Sequence, residues 1–560
     1  MQKIFLFIVL EMLVIVSFAK ENIPLIYEPL QMREDDAAQH IAPTRAKGSH
    51  LNVFLPSVAY LYISHAINGA LIRPANNAQG WVYDLAVSHQ QINDSTYEFK
   101  LREGVVFQDG SPFNADAVIS NMKYFKRKPP VYSKIHEVYD RVSKIDDYTV
   151  QFHLKEKYGA FMNDVVWIQF YTQDYLLEYG WNGKPTPPNL AAAGLYGLGP
   201  YILKEGYAEG DRQTPKIELI ANPHYWNKDY PKIESVTVYT ELSEERARNM
   251  ILYHENQLDI APLDFNHKVE TILSPYAKLL IYPSTEAYMI HFNMRTGNPR
   301  LLDKEIRRAL NQAIHRTNLL RFVYEDEGDV VPALASPSYL GVEENLDKYK
   351  SSFEEIDPYQ PEQQEELFFI LDGLTLKVLT QEHLLFLWRG IEYQLQKVGV
   401  TLEITVVKNQ QALFEQLLST NIGKNTQAWD LLSWTNDGWF LLHPWSVFMV
   451  LRTHNYWSTL LPDPIMDNYL EDLFREKTEE PLFIETIYNI MHYASNNAYM
   501  LFLPAPHKIF AVNKEVVFTP YRQAVLPLWE IELSDRHVSL RKGDYPDELK
   551  KPVQMLKKHF

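Results

Sequence analysis

The chain runs to 560 residues, 46% hydrophobic and 22% charged, with a formal net charge of −17 and no cysteine. That length exceeds one ordinary core and calls for two or three lobes. The acidic balance, with no basic stripe to offset it, argues against nucleic acid or anionic membrane as partners, and the missing cysteine removes disulfides, thiolate catalysis, thiolate metal sites and a cysteine-linked lipid anchor.

The N-terminus has the pattern of a signal peptide over residues 1–19. Lys3 supplies a positive start, residues 4–16 are an apolar run, and Ser17, Phe18 and Ala19 form a small-x-small cleavage site ahead of Lys20. Glu11 interrupts the run, so an uncleaved anchor is the alternative. No later stretch approaches the roughly 20 apolar residues that span a bilayer. Residues 21–49 are irregular.

The first strong element is a strand. Tyr97, Phe99 and Leu101 alternate with Glu98, Lys100 and Arg102. Asp109 and Gly110 then make a turn, Pro112 fixes its exit, and Asn114 caps a helix whose Val118, Met122 and Phe125 share one face. Strands are expected again at residues 149–154 and 236–239, with a turn at 197–201 and a helix from Ser243 leading to a buried strand near Ile260. A strand at 290–293 precedes an amphipathic helix with Ile306, Ala309, Leu310, Ala313 and Ile314 on one face. Arg307, Arg308, Gln312 and Arg316 fall on the other. Residues 374–407 form one strand–helix–strand unit, which belongs to an α/β lobe. Residues 429–434 make the next buried strand, and the apolar run 498–507 is expected as a long strand returning to the first lobe. The tail from Leu540, with Lys550, Lys551, Lys557 and Lys558, is expected as a solvated helix.

The block 97–118 closely resembles the signature of the family 5 extracellular solute-binding proteins, the peptide- and nickel-binding receptors of bacterial ABC importers. Residues 222–233 and 243–260 resemble the family too, and the likeness covers about residues 51–535. It implies an α/β, two-lobed periplasmic-binding-protein fold of type II, cluster C, with an inserted subdomain in the first lobe. The expected boundaries are lobe I at 20–50, 190–285 and 505–545, the inserted subdomain at 51–189, lobe II at 286–504 and a tail at 546–560. The resemblance also implies a periplasmic, monomeric receptor that binds a peptide, hands it to an inner-membrane permease, and is not an enzyme. It carries no cofactor.

Dipeptide-binding members end one strand of the second lobe in a Trp-Thr-Gly-Asp-type motif whose Asp takes the ligand ammonium. Here the match falls on Trp434, Thr435 and Asp437, so Trp434 and Trp439 are expected to wall the pocket and Asp437 to anchor an amine by charge-assisted hydrogen bonds. The bland alternatives are a surface Asp437-Gly438 turn and a core Trp434. The pattern breaks at Phe440, Leu441 and Leu442, with His443 arriving late. His443 is therefore an ordinary loop residue or, in a nickel–chelator receptor of the same fold, a metal ligand. The stretch 165–172 holds no arginine to meet a chelator's carboxylates. Other rivals are a hydrolase on this scaffold and a binding module uncoupled from transport. No nucleophile elbow, P-loop or Gly-x-Gly-x-x-Gly is present. His254 and Glu255 open like a zinc-protease motif, but Leu258 stands where the second histidine belongs. His153 and His291, in strand-like runs, are expected to be structural.

Overall fold

The computed structural model describes residues 35–552 apart from 57, 126–132, 180–189, 210–211, 331–333, 346, 349–360, 409, 425–426 and 454. The stretch 1–19 expected as a signal peptide and the last eight residues of the tail lie outside them.

Three sheets organise the chain. A seven-stranded sheet runs in the order Tyr201–Glu205, Lys216–Ala221, Ser235–Tyr239, His50–Phe54, Ile260–Pro262, Lys508–Asn513 and Ala277–Tyr282. Its parallel centre, His50–Phe54 beside Ser235–Tyr239, is buried because helices and loops cover both faces. A four-stranded sheet joins Ala287–Phe292, Leu431–Asn436, Thr375–Thr380 and Thr401–Val406. The last two are parallel and linked by the helix Leu385–Gln396, the expected strand–helix–strand unit. The third sheet is antiparallel, ordered Ala86–Asn93, Thr96–Leu101, Thr149–Leu154 and Tyr139–Asp146. Among the described residues no helix is long and apolar enough to cross a membrane.

The signature block builds part of the third sheet as its chemistry dictates. Tyr97, Phe99 and Leu101 are buried, and Phe99 meets Phe152 edge-on at 5.7 Å. Gly110 takes a φ of 89°, which the tight turn needs and a side chain would resist. The Asn114 side chain accepts from the Asp116 and Ala117 amides at 3.0 and 3.2 Å, a cap that stabilises the helix Ala115–Phe125 by about 1 kcal/mol.

The strand His50–Phe54 and the helix Ala59–Ile67 pack with the seven-stranded sheet and its core. Three expectations need correction. The helix Lys304–Gln312 stops short of Ile314, and a second helix, Arg316–Tyr324, starts from a His315 cap. Arg307 and Arg316 are buried rather than on a polar face. The run 498–507 is not a long strand. It carries an isolated bridge from Met500 to His291 and the two-residue strand Ala505–Pro506, and the regular strand begins at Lys508. These last two departures explain each other. Arg307 donates to the carbonyls of Ala498 and Asn497 at 2.9 and 2.8 Å, Asn311 to Met500 at 3.0 Å, and Arg316 to Phe502 at 3.1 Å. The guanidiniums and the amide thus take the place of a neighbouring strand. The tail is also tied down, since Lys514 donates to the carbonyls of Leu549 and Lys551 at 3.3 and 2.6 Å. Its one described helical turn is Asp547–Leu549.

The chain crosses between the seven- and four-stranded sheets twice. Residues 283–286 link Ala277–Tyr282 to Ala287–Phe292, and residue 507 leads into Lys508–Asn513. The site lies at these crossings.

Candidate functional site

Asp437 follows directly on the strand Leu431–Asn436, at the end facing the crossings. Its carboxylate is 7% exposed and fully engaged. Thr285 donates its hydroxyl at 2.6 Å, the Gly438 amide donates at 2.8 Å, and the Tyr62 hydroxyl donates at 3.2 Å. Lys508 forms an ion pair with the same carboxylate. The partners come from separate places: the helix Ala59–Ile67, the first crossing, and the first residue of the strand that follows the second. One carboxylate therefore ties the four-stranded half to the seven-stranded half. Gly438 is needed here because a Cβ would sit 2.6 Å from Thr285 Oγ1 and 3.0 Å from the Leu441 carbonyl.

A second contact between the halves runs through Trp439. Its carbonyl accepts from Trp167 Nε1 at 2.8 Å, and the Trp167 ring lies 5.1 Å from His65, one helical turn beyond Tyr62. Gln169 donates to Ser64 Oγ at 3.1 Å and to His65 Nδ1 at 3.3 Å. His65 Nε2 and Gln169 Oε1 are buried without a hydrogen-bond partner. Burial lowers the His65 pKa to about 3, with Arg73 adding to the shift, so this ring is a neutral one. Buried polar atoms of this kind ask for a polar group from outside the chain.

The expected site residues separate into two groups. Asp437 and Trp439 stand between the two halves. Trp434 is 3% exposed and belongs to the core, where its Nε1 donates to His291 Nε2 at 2.8 Å and Phe414 meets it edge-on at 5.3 Å. His291 is accordingly a structural histidine, its pKa lowered to about 3 by burial. His443 lies in a loop but is fully buried. Phe440, Leu441 and Leu442 turn inward, Leu441 through a φ of 54°, and carry His443 into the core between Phe440 and Phe483, with ring centroids 5.4 and 5.2 Å away. Its Nδ1 accepts from the Trp445 amide at 3.1 Å, its Nε2 has no partner, and burial lowers its pKa to about 3. Among the described residues no three His, Cys, Asp or Glu side chains are placed to hold a metal.

Tyr62, Thr285, Lys508, Trp167 and His65 escaped the sequence reading. They lie 71 to 375 residues from Asp437, in segments without motif character, so pairing across the fold was the signal required.

A family model described as bacterial extracellular solute-binding proteins, family 5 middle, matches residues 80–368. The chain belongs to that family. The glutathione-binding protein GsiB of Escherichia coli K12 is 27% identical over 262 residues, covering 45% of this chain and 48% of that protein. The chain thus spans about half the length of the curated relatives it matches. In fold it is similar to the murein tripeptide-binding protein MppA of Escherichia coli, with a TM-score of 0.70 at 16% identity over 88% of this chain and 99% of that one. It is similar too to NikA from Brucella suis in complex with Fe(III)-EDTA, with a TM-score of 0.68 at 17% identity over 86% and 99%. These solute-binding proteins share the two-lobed architecture, which is the architecture of this chain.

Proposed function

We propose that this protein is the substrate-binding component of a bacterial ABC importer, a periplasmic monomer that closes its lobes on a peptide and passes it to a membrane permease without chemical change. One observation supports this above the others: a buried carboxylate, Asp437, at a strand end, bound from both lobes and already holding an ammonium, that of Lys508. A strand end facing an inter-lobe crevice is where α/β folds bind ligands. A peptide N-terminus is the same chemical group as Lys508 Nζ and takes its place, or shares the carboxylate with it, through charge-assisted hydrogen bonds. Contacts from both lobes are what a closing receptor requires, because a ligand shifts the population only by binding the closed form better. Trp439, Trp167 and the unpartnered atoms of His65 and Gln169 supply an apolar wall and polar groups for a peptide backbone. The names of the relatives, binders of glutathione and of a murein tripeptide, are consistent with a short peptide ligand. The burial of His443 favours the peptide reading over a nickel complex.

The test is thermal unfolding of ligand-stripped protein with free and N-acetylated di- to pentapeptides. A ligand at about 100 times its Kd adds roughly 2.7 kcal/mol. Free peptides are expected to stabilise, acetylated ones not, and Asp437→Asn to remove the difference. Equal stabilisation by free and acetylated peptides would refute the amine anchor. No stabilisation by any peptide would refute the ligand class.

A further inference from the structure

A second group of carboxylates lies beside the first crossing, without an ion pair of the kind that Asp437 makes with Lys508. Glu286 is the last residue of the crossing, and Tyr288, two residues on, shares its strand face. Asp264 opens the short helical turn Phe265–His267, next after the central strand Ile260–Pro262. Tyr324 ends the helix Arg316–Tyr324 and joins the two sides. Its ring stacks on Tyr288 at 5.8 Å and meets Phe265 edge-on at 5.4 Å.

Several buried carboxylates among the described residues have a basic partner. Asp437 has Lys508, Asp259 has His537, and Glu515 has Arg536. The carboxylates of Glu286 and Asp264 accept no hydrogen bond and form no ion pair among the described residues, although neither residue is exposed. The charged groups around them leave the balance acidic. Glu286 faces Lys508 and Asp437, and Asp264 faces Glu286 and Glu244, the latter beside Glu382 and Arg248. Burial raises both carboxyls to about 7, against the pull of Lys508 on Glu286 and with Glu244 and Glu286 adding to Asp264. The Tyr324 hydroxyl provides an independent sign. The residue is 4% exposed, both carboxylates act on the hydroxyl, and although it lies beside Tyr288 it has no partner in hydrogen-bond geometry. Unpaired carboxylates beside stacked tyrosine faces form a receptor for a cation, which both carboxylate charge and ring quadrupole attract.

We propose that Asp264, Glu286, Tyr288 and Tyr324 form a subsite for a cationic group of the ligand, an alkylammonium or guanidinium such as a lysine or arginine side chain. This rests on the reading of the protein as a receptor, and it makes the preferred ligand a basic one. Asp437 would hold one positive group and the Glu286 side a second. The occupant is the same chemistry whether it belongs to a basic peptide or to a free diamine.

The experiment is calorimetric titration of ligand-stripped, full-length protein at pH 8. The peptide arm compares tripeptides carrying lysine at each position with the same peptides carrying norleucine or glutamate. The free-cation arm compares cadaverine and agmatine with pentane-1,5-diol. At least one lysine position, or the free cations, should bind about tenfold tighter than the neutral isostere. The isosteric variants Glu286→Gln and Asp264→Asn, and separately Tyr324→Phe, should shrink that ratio, with folding checked by circular dichroism. No cation preference in the unaltered protein in either arm overturns the proposal. So does a preference that survives both carboxylate substitutions, since it then belongs to the acidic surface at large. Binding of Ala-Ala-Ala is read separately and reports on the peptide reading. A protein that takes cadaverine but no peptide keeps the subsite and loses the peptide.

Discussion

Replacing Lys508 by Met tests the inter-lobe tie directly. Methionine keeps most of the length and apolar stem of lysine while deleting the ammonium. The Asp437 carboxylate would then remain 93% buried with no cation, held by Thr285, Gly438 and Tyr62 alone. Breaking a buried ion pair by removing one partner costs about 3–5 kcal/mol. The three surviving hydrogen bonds keep this case at the lower end, about 3 kcal/mol, because hydrogen bonds to a charged group are the stronger kind. For a cooperative unit of lobe size that is a fall in Tm on the order of 6 °C. Asp437→Asn alone should also destabilise, since the Lys508 side chain, 13% exposed, is then the unpaired charge. The double variant leaves neither member of the pair as a lone charge, so its loss should fall short of the sum by about 2 kcal/mol or more. Differential scanning calorimetry on the four proteins closes the cycle. Additive losses, or Lys508→Met within a degree of the unaltered protein, would refute the idea that this pair ties the lobes.

Two further outcomes follow from the same region. His443 has a folded pKa of about 3 against an unfolded 6.5, so the stability of its neutral form is complete above pH 6.5 and declines as pH falls towards 3, by about 2 kcal/mol at pH 5. His443→Phe should lose roughly 1 kcal/mol at pH 8 with the Trp445 bond and become the more stable protein near pH 5; a Tm difference that does not change with pH would contradict this. Gly438→Ala places a methyl 2.6 Å from Thr285 Oγ1 and should lower Tm well beyond Gly104→Ala, where nothing lies within 4 Å and the φ of 73° alone is at issue; equal losses would mean that the crowding at Thr285 is relieved without cost.

What the sequence made legible was local. Period-2 alternation at Tyr97, Phe99 and Leu101, the Gly110 turn and the Asn114 cap are decided within a few residues, and they stand as expected. The strand–helix–strand unit was equally clear, because parallel pairing across a helix needs only three correctly patterned segments. Arg307 and Arg316 misled because hydropathy ranks a guanidinium as a surface group. It takes no account of backbone carbonyls, distant in sequence, that the forked donors of a guanidinium satisfy. His443 shows the converse: the three apolar residues before it draw a loop histidine into the core. At the site, Asp437 stood out through its place after a strand, but nothing local could announce Lys508, Tyr62 or Thr285 as its partners.

The returning segment has a consequence for solubility. Residues 498–503 read Ala, Tyr, Met, Leu, Phe and Leu, an uncharged run of strand-forming residues that, laid out as a bare edge, would invite another chain to pair with it. Arg307, Asn311 and Arg316 occupy the carbonyls that such a pairing would need, and the Leu501 and Phe502 amides are taken by Ile290 and Asn311. Two arginines and an asparagine on one pair of helices therefore act as gatekeepers against aggregation, in a part of the chain where no charge interrupts the run itself.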